Sequence, residues 1–364
     1  MRIRLAVLSA AVAAAWLAPS VPAHAQDKGL EVRLSGQVNR ALMSVDDGTK
    51  SNWFFVDNDI SSTRFRLSAT APVTTGLRAG AVFETEFQSN PSDAVSFATQ
   101  DIAATFLERH MDVFLEGGWG KFSLGQGSGA ADGGTEVDLS GTSVAHWAGA
   151  GNIGGAFEFR DGAGALTGIE MGDTISQQDF ESRYDRLRYD SPKFGGFSIA
   201  GSLGTKDNGR DVRELALWYT GDMGALGRLA GALGWSNQQA NVADPASSED
   251  EVVGGSVSWL HGSGLNLTLS HSQRDFRATG DEGKFTYAKV GYKFGRHAVA
   301  LDWGKGEDQA AGIGVEGDMI GVGYVYSPVA WAELYAAAKR HGAEAAGIDA
   351  DDLTIFMVGS RIRF

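Results

Sequence analysis

The nearest approach to a nucleophile and base is His261, Gly262 and Ser263 in "LHGSGLN". Acyl transfer would need that pair oriented by a third group in a shielded site. Here it lies in a glycine-bracketed turn, which reads as solvated loop. His110, His146, His271, His297 and His341 are scattered singly, without metal-ligand spacing. The acidic stretches "VDNDIS", "ADPASSEDE" and "VEGD" hold oxygens that calcium could use, but no twelve-residue calcium loop is present, so a solvated surface is preferred. The glycine run "GSGAADGG" lacks the lysine and following helix of a phosphate loop. What remains is electrostatic: Arg33, Arg64, Arg66 and Arg78 sit at polar positions of alternating segments, and eight more candidate charges follow in mid-chain.

Composition narrows the elements that could position these groups. The 364 residues include 50 glycines, about twice the usual share, with 7 prolines and no cysteine. Many short strands and tight turns suit that profile, and thiolate metal sites and thiol catalysis are excluded. The N-terminus reads as an export signal: Arg2 and Arg4, an apolar stretch from Leu5 to Ala18, then Ala23 and Ala25 in "PAHAQ", with cleavage expected after Ala25. Residues 1–25 are therefore a removable leader and 26–364 the mature domain. Without the two arginines, 29 of the 31 bases face 45 acids, a net charge of −16 that disfavours nucleic acid. After the leader no run of about 18 apolar residues occurs, so no transmembrane helix is available.

Period-two alternation recurs instead from end to end. "LEVRLSGQVNRAL" sets Leu30, Val32, Leu34, Val38 and Leu42 against Glu31, Arg33, Ser35, Gln37 and Asn39, and "STRFRLSAT" and "LRAGAVFETEFQ" repeat the pattern. Brief turns such as "APVTTG", "GGWG", "SPKFGG" and "HGSG" join segments in pairs, and longer polar stretches such as "DDGTKSNWFFVDNDIS" separate the pairs. Seven short turns imply fourteen strands, and one unpaired strand at each end makes sixteen. A soluble β-sandwich or propeller would also alternate, but here the polar face carries more charge than a core could hold. Aromatic residues gather at the short turns: Trp119 and Phe122, Phe194 and Phe197, Tyr292 and Phe294, Tyr324, Tyr326 and Trp331. The fold class expected is all-β, a sixteen-stranded antiparallel transmembrane barrel with an aromatic girdle.

One connection, residues 128–181, is far longer than the rest and is the third long loop, called L3 below. Its Trp147, Ile153, Phe157 and Phe159 need something to pack on, which argues against disorder.

The opening "LSGQVNRAL", "SSTRFRLSAT", "YDRLRYDSPKFGGFSIAGSLG" and the terminal "FMVGSRIRF" together resemble Gram-negative general-diffusion porins, especially the alphaproteobacterial kind. The resemblance implies an outer-membrane homotrimer of sixteen-stranded barrels. Each would hold a water-filled pore narrowed by an inward-folded third loop. Where those porins carry "PEFGG", this loop has "NIGGAFEF".

If L3 lies against the wall, its acids Asp132, Glu136, Asp138, Asp161, Glu170 and Asp173 face a basic arc of Arg33, Arg64, Arg66, Arg78, Arg186 and Arg188. Opposed charges in a confined mouth order water across the passage, and width and wall charge then set selectivity. The expected function is passive diffusion of small hydrophilic solutes and ions with a mild cation preference, without catalysis or a cofactor. A solute-specific channel is the second reading; Tyr184, Trp218, Phe285 and Tyr287 could face inward but form no evident track. An adhesin or enzyme on the same barrel is the third. Partners would be further copies of the chain, outer-membrane lipid and lipopolysaccharide, and the barrel-assembly machinery. Phe364 is expected to close the last strand against the first, its carboxylate pairing with Lys28 or the new N-terminus, and the resemblance implies that it also serves as the assembly signal.

Overall fold

The structure, a computed structural model, describes residues 29–207, 209–240, 249–309, 314–345 and 348–364. The leader and Lys28 lie outside the described residues. Strands β1 (Glu31–Asp46), β2 (Ser51–Asp57), β3 (Arg64–Thr74), β4 (Leu77–Gln88), β5 (Thr105–Gly117) and β6 (Gly120–Ser128) precede L3. L3 itself contains a hairpin, β7 (Glu158–Arg160) and β8 (Leu166–Glu170), and a helical turn, Met171–Thr174. The chain continues with β9 (Arg183–Asp190), β10 (Phe197–Lys206), β11 (Arg210–Asp222), β12 (Arg228–Gln238), β13 (Asp250–Leu260) and β14 (Leu265–Phe276). It ends with β15 (Asp281–Phe294), β16 (His297–Glu307), β17 (Glu316–Val329), β18 (Ala332–Ala345), β19 (Ile348–Asp349) and β20 (Leu353–Arg363).

Antiparallel pairing runs round the sheet, and β20 closes on β1 from Gln37 opposite Arg363 to Asp46 opposite Thr354. Closure leaves no strand edge in the lipid, where an unpaired backbone would be costly. β2 and β3 occupy one place in the wall, pairing respectively with the upper and lower halves of β1. Counted as one strand, and with β7, β8 and β19 set aside, they give the sixteen strands of the barrel.

The seven short turns fall where the sequence puts them, but the other rim is less regular than expected. Most of "DDGTKSNWFFVDNDIS" is strand β2, with only residues 47–50 as a turn. Trp53 and Phe55 point outward and Phe54 and Val56 inward, a strand pattern masked in the sequence by flanking Asp, Asn and Gly. Connections 207–209 and 277–280 are likewise as short as the turns of the opposite rim.

Burial along the strands is inverted relative to a water-soluble protein. On β14, Leu265, Leu267 and Leu269 are exposed while Asn266, Thr268, Ser270 and Ser272 are buried. Only lipid outside and polar surroundings inside make that arrangement favourable. Rings stack at the lower rim: Trp119 on Phe122, Phe122 on Tyr189, Phe197 on Tyr219, and Tyr292, Phe294, His297 and Tyr326 in succession. Gly321 and Gly323 of "GVGY" face the lumen.

At the closing seam, Phe364 N donates to Gly36 O (3.0 Å) and Gly36 N donates to Phe364 O (2.8 Å). The Phe364 ring lies over Gly36, where a Cβ would come within 2.8 Å of it. Ser360 does share the outward face with Ile362 and sits opposite Arg40 of β1. Deleting Phe364 removes the last backbone pair and the ring that covers Gly36. The expected result is a several-fold lower yield of heat-resistant, membrane-assembled protein, with unchanged conductance in the channels that do assemble.

Candidate functional site

L3 lies inside the barrel, held by lumen-facing side chains of successive strands. Ser202 Oγ of β10 accepts from Ala130 N, and Glu214 of β11 accepts from Ala131 N and Glu181 N, pinning both ends of the loop. On β13, Ser256 Oγ accepts from Val137 N and donates to Gly134 O, and Ser258 Oγ accepts from Leu139 N. On β14, Ser270 Oγ donates to Thr135 O and Ser272 Oγ to Gln177 O. Irregular backbone has no ladder partner of its own, so these hydroxyls satisfy groups that burial would otherwise strand. The alternating serines of "GSVSWL" and "LNLTLSHS" were the sequence signal for this, read there only as a polar face.

Beyond Ser140 the contact becomes glycine-floored. Cβ atoms at Gly304, Gly306, Gly317 and Gly323 would meet Ile175, Thr174, Thr174 and His146 at 3.2, 2.2, 2.6 and 2.0 Å respectively. L3 can therefore lie directly on β16 and β17. Its Val144, Ile153, Phe157, Phe159, Met171 and Ile175 pack with Met43, Phe54, Phe285, Tyr335 and Met357 of the wall in one apolar cluster. Tyr184, Phe285 and Tyr287 do point inward, but they are buried as supports of L3 and line no track. Trp218 joins them in this role, donating to Ala130 O (3.2 Å).

The six acids expected at the constriction divide. Asp138 is turned to the wall and paired with Lys289 Nζ at 2.7 Å. Burial pushes its carboxyl up, but the Lys289 ammonium and the Ser140 hydrogen bonds outweigh this and hold it below the usual range. Asp161 accepts from Ala163 N and Ala165 N in the turn of the β7–β8 hairpin and bridges to Ala350 near the outer rim. Glu170 is exposed at the end of that hairpin, opposite Glu158. Asp173 is exposed on the helical turn. Only Asp132 and Glu136 gather with another acid, Asp179, which the sequence reading missed. Gly133 N, Thr135 N and Thr135 Oγ1 donate to Asp179, and Gln177 Nε2 donates to Glu136. Burial, then the Asp179 carboxylate, push Glu136 well above its ordinary 4.5. Burial, then Asp132, push Asp179 to about 7.

The arginines divide as well. Arg64 and Arg66 face the lumen with Arg109, and the three share Glu84 at 4.0, 2.6 and 2.7 Å. Arg109 also reaches Glu86 at 2.7 Å. Arg33 and Arg78 sit lower on the same wall, opposite Ser68 and Pro72, away from this cluster. Arg186 is locked to Asp112 (2.7 Å) and donates to Gly125 O and Ser128 O, and Arg188 pairs with Asp190 and donates to Gly129 O. Those two arginines anchor the root of L3. Arg183, also missed, interacts electrostatically with Arg64 on one side and Glu136 on the other. It thus joins the wall cluster to the loop acids. With L3 filling the side of the lumen from β10 round to β2, polar space remains between the loop and the wall of β3 to β6 and β9.

A closed sixteen-stranded barrel with lipid outside, charges inside and a loop folded into its lumen is an outer-membrane channel. A Gram-negative porin family model matches residues 9–346, and the chain belongs to that family. Among solved structures, the anion-selective porin from Comamonas acidovorans superposes with a TM-score of 0.64 at 20% identity, covering 92% of this chain and 100% of that one. OmpT of Vibrio cholerae (TM-score 0.60, 16% identity, 93% and 99% covered) and a mutant porin of Rh. blastica (0.55, 14%, 92% and 100%) share the fold. No curated protein matches by sequence.

Two measurements check this site. Gly323→Ala drives a methyl into the His146 ring and is expected to destabilise L3 docking by about 1–3 kcal/mol, read as a lower thermal midpoint and faster proteolysis within L3. The raised carboxyl of Glu136 means that docking loses stability as pH rises and the group is forced to ionise. Glu136→Gln should therefore raise the thermal midpoint at pH 8 and leave it nearly unchanged at pH 4.

Proposed function

We propose that the chain forms a water-filled channel for passive diffusion of small hydrophilic solutes and ions, constricted where L3 faces the β3–β5 wall. One observation carries this reading. The loop occupies one side of the lumen with apolar and hydroxyl contacts, whereas the opposite side keeps a cluster of partly hydrated arginines, Arg66 with 42% of its side chain exposed. Apolar solutes would have to strip water from those charges; small polar ones need not. No covalent step is proposed. Assembly as a homotrimer in outer-membrane lipid and lipopolysaccharide, inserted by the barrel-assembly machinery, follows from family membership and is part of the proposal. The acidic outer loops are read as solvated, lipopolysaccharide-facing surface; loop-bound calcium remains the second reading there.

Selectivity needs a finer argument. Net charge alone leads to a mild cation preference, yet the constriction sets Arg64, Arg66, Arg109 and Arg183 against Glu84, Glu86, Asp132 and a partly ionised Asp179. Asp138 is neutralised by Lys289, and burial with the Asp179 carboxylate pushes Glu136 toward its neutral form. That count gives cations no advantage at the narrowest part, and the solved porin from Comamonas acidovorans is named anion-selective. We therefore infer weak selectivity, its sign governed by the arginines more than by the overall charge.

The test is bilayer reconstitution under a salt gradient. Stepwise conductance with a reversal potential near zero is expected. Absence of steps would sink the channel reading, and strong cation selectivity would sink the charge count. In water a unit charge about 5 Å from the path is worth about 0.8 kcal/mol, or about fourfold in ion population. Neutralising Arg64 and Arg66 together (R64Q with R66Q) should shift permeability toward cations by up to that factor per charge; no shift would remove them from the constriction.

A further inference from the structure

His146 is a buried, titratable group on L3 that the channel reading does not use. Its ring is fully enclosed, its Nδ1 lies 2.6 Å from Asp302 Oδ2 of β16, and its Cδ2–Nε2 edge packs against Gly323 of β17. β17 offers it only Gly323, and the other elements packed near it bring charged or titratable groups. β15 contributes Lys289 and Tyr287, whose hydroxyl also donates to Asp302 Oδ2; β18 contributes Lys339 and His341; L3 itself contributes Asp138, held by Lys289. Lys289 Nζ donates in addition to His146 O (2.8 Å), so the same residue of the loop is held by side chain and backbone.

Several polar atoms around this contact have no hydrogen bond of good geometry: both ring nitrogens of His146, Nδ1 despite its 2.6 Å approach to Asp302 Oδ2, together with Asp302 Oδ1, Lys339 Nζ and both ring nitrogens of His341. Lys339 is 3% exposed and His341 fully buried. Donors and acceptors of both kinds converge there, which calls for enclosed water. Such water would give protons a route to the imidazole.

We propose that the His146–Asp302 contact is an acid-labile latch that keeps the middle of L3 on the barrel wall, so that protonating His146 lets this segment leave the wall and obstruct the passage. A neutral imidazole with Nδ1–H donating to Asp302 leaves Nε2 as an acceptor. Protonation turns Nε2 into a second donor and places a cation between Lys289 and Lys339, with Asp302 as the one carboxylate in contact. Burial, then Lys289, push the imidazole from 6.5 down to about 4. A docked imidazole that resists protonation stabilises docking fully above about 6.5, and that contribution is lost as pH falls toward 4. Glu136 and Asp179, at the other end of the docked segment, titrate in the opposite sense, so a comparison with a His146 variant is needed to isolate the latch.

The inference rests on the reading that L3 bounds the passage, and its test separates the two. Single-channel records from pH 7.5 to pH 4 should show the closed-to-open ratio of wild type rising by at most about tenfold per pH unit below about 6.5. His146→Gln keeps a donor for Asp302 but takes up no proton; it should match wild type at pH 7.5 and lose that acid response. An unchanged acid response in His146→Gln, or none in wild type, overturns the latch. Should the variant fail to assemble, hydrogen exchange of wild-type membrane-assembled protein decides. Corrected for intrinsic rates, exchange in residues 142–152 should accelerate at least tenfold between pH 7 and pH 4.5 while β16 stays protected. Uniform protection would sink the latch even if the channel conducts, and absence of conductance at every pH would sink the channel reading while leaving the exchange result to judge the latch.

Discussion

The structure depends on one constraint: a long irregular loop inside a closed barrel must find partners for its backbone on a wall whose own backbone is fully paired. Main-chain groups of the barrel are committed to the ladder from β1 round to β20. On the barrel wall it is therefore lumen-facing side chains that hold L3, and along β10, β13 and β14 they are short. Ser202, Ser256, Ser258, Ser270 and Ser272 supply a hydroxyl within reach of the loop backbone. Where no hydroxyl serves, the wall withdraws its side chains altogether, and Gly304, Gly306, Gly317 and Gly323 let the loop come down to the strand backbone. Both devices cost the strand something, since glycine is a poor strand residue and an unpaired buried hydroxyl is worse. The closed ladder tolerates it because each strand is held on both sides.

From that docking the asymmetry of the lumen follows. Once L3 covers the wall from β10 to β2, apolar residues such as Met43, Phe54, Phe285 and Met357 can face inward, because they meet the loop and not water. The wall of β3 to β6 has no such cover. Its inward positions carry Arg64, Arg66, Glu84, Glu86 and Arg109, paired with one another across strands, and Asp112, paired with Arg186 of β9. Conserving hydration on one side and excluding it on the other confines the passage without any element that closes it off.

The barrel was legible because its signals are local and repeated: alternation, turn residues and ring placement each recur about once per strand, so a few misread connections do not change the count. β2 was misread because Asp46, Asp47, Gly48 and the following Thr and Lys announce a turn, and seven strand residues were absorbed into it. The site was less legible, since several of its pairings join residues far apart in the chain, Arg160 and Asp47 by 113 positions. Asp138 looked like any loop acid until Lys289 was set beside it, 151 residues later. Arg109 hid because it is itself the extra residue of a β-bulge in β5, skipped opposite the Glu84–Thr85 step of β4, which breaks the alternation and brings an apparently misplaced arginine onto the lumen face. Arg186 and Arg188 lie on the predicted face, but sequence could not say that they would be spent on the carbonyls of Ser128 and Gly129.

Two buried ion pairs fasten L3 at its middle and outer hairpin, Asp138 with Lys289 and Arg160 with Asp47, while at its root Arg186, itself paired with Asp112 across the wall, holds Ser128 O. Buried pairs are weak contributors to stability, because desolvation consumes much of their attraction. Their value here lies in register. Apolar contacts and alternating hydroxyls would tolerate a loop displaced along the wall by one repeat, because the next inward position offers a similar group. A charge displaced by one repeat is left in a low-dielectric interior without its partner, a penalty of about 3–5 kcal/mol. The ion pairs thus fix where along the wall L3 sits, and the width of the passage is the residue of that choice.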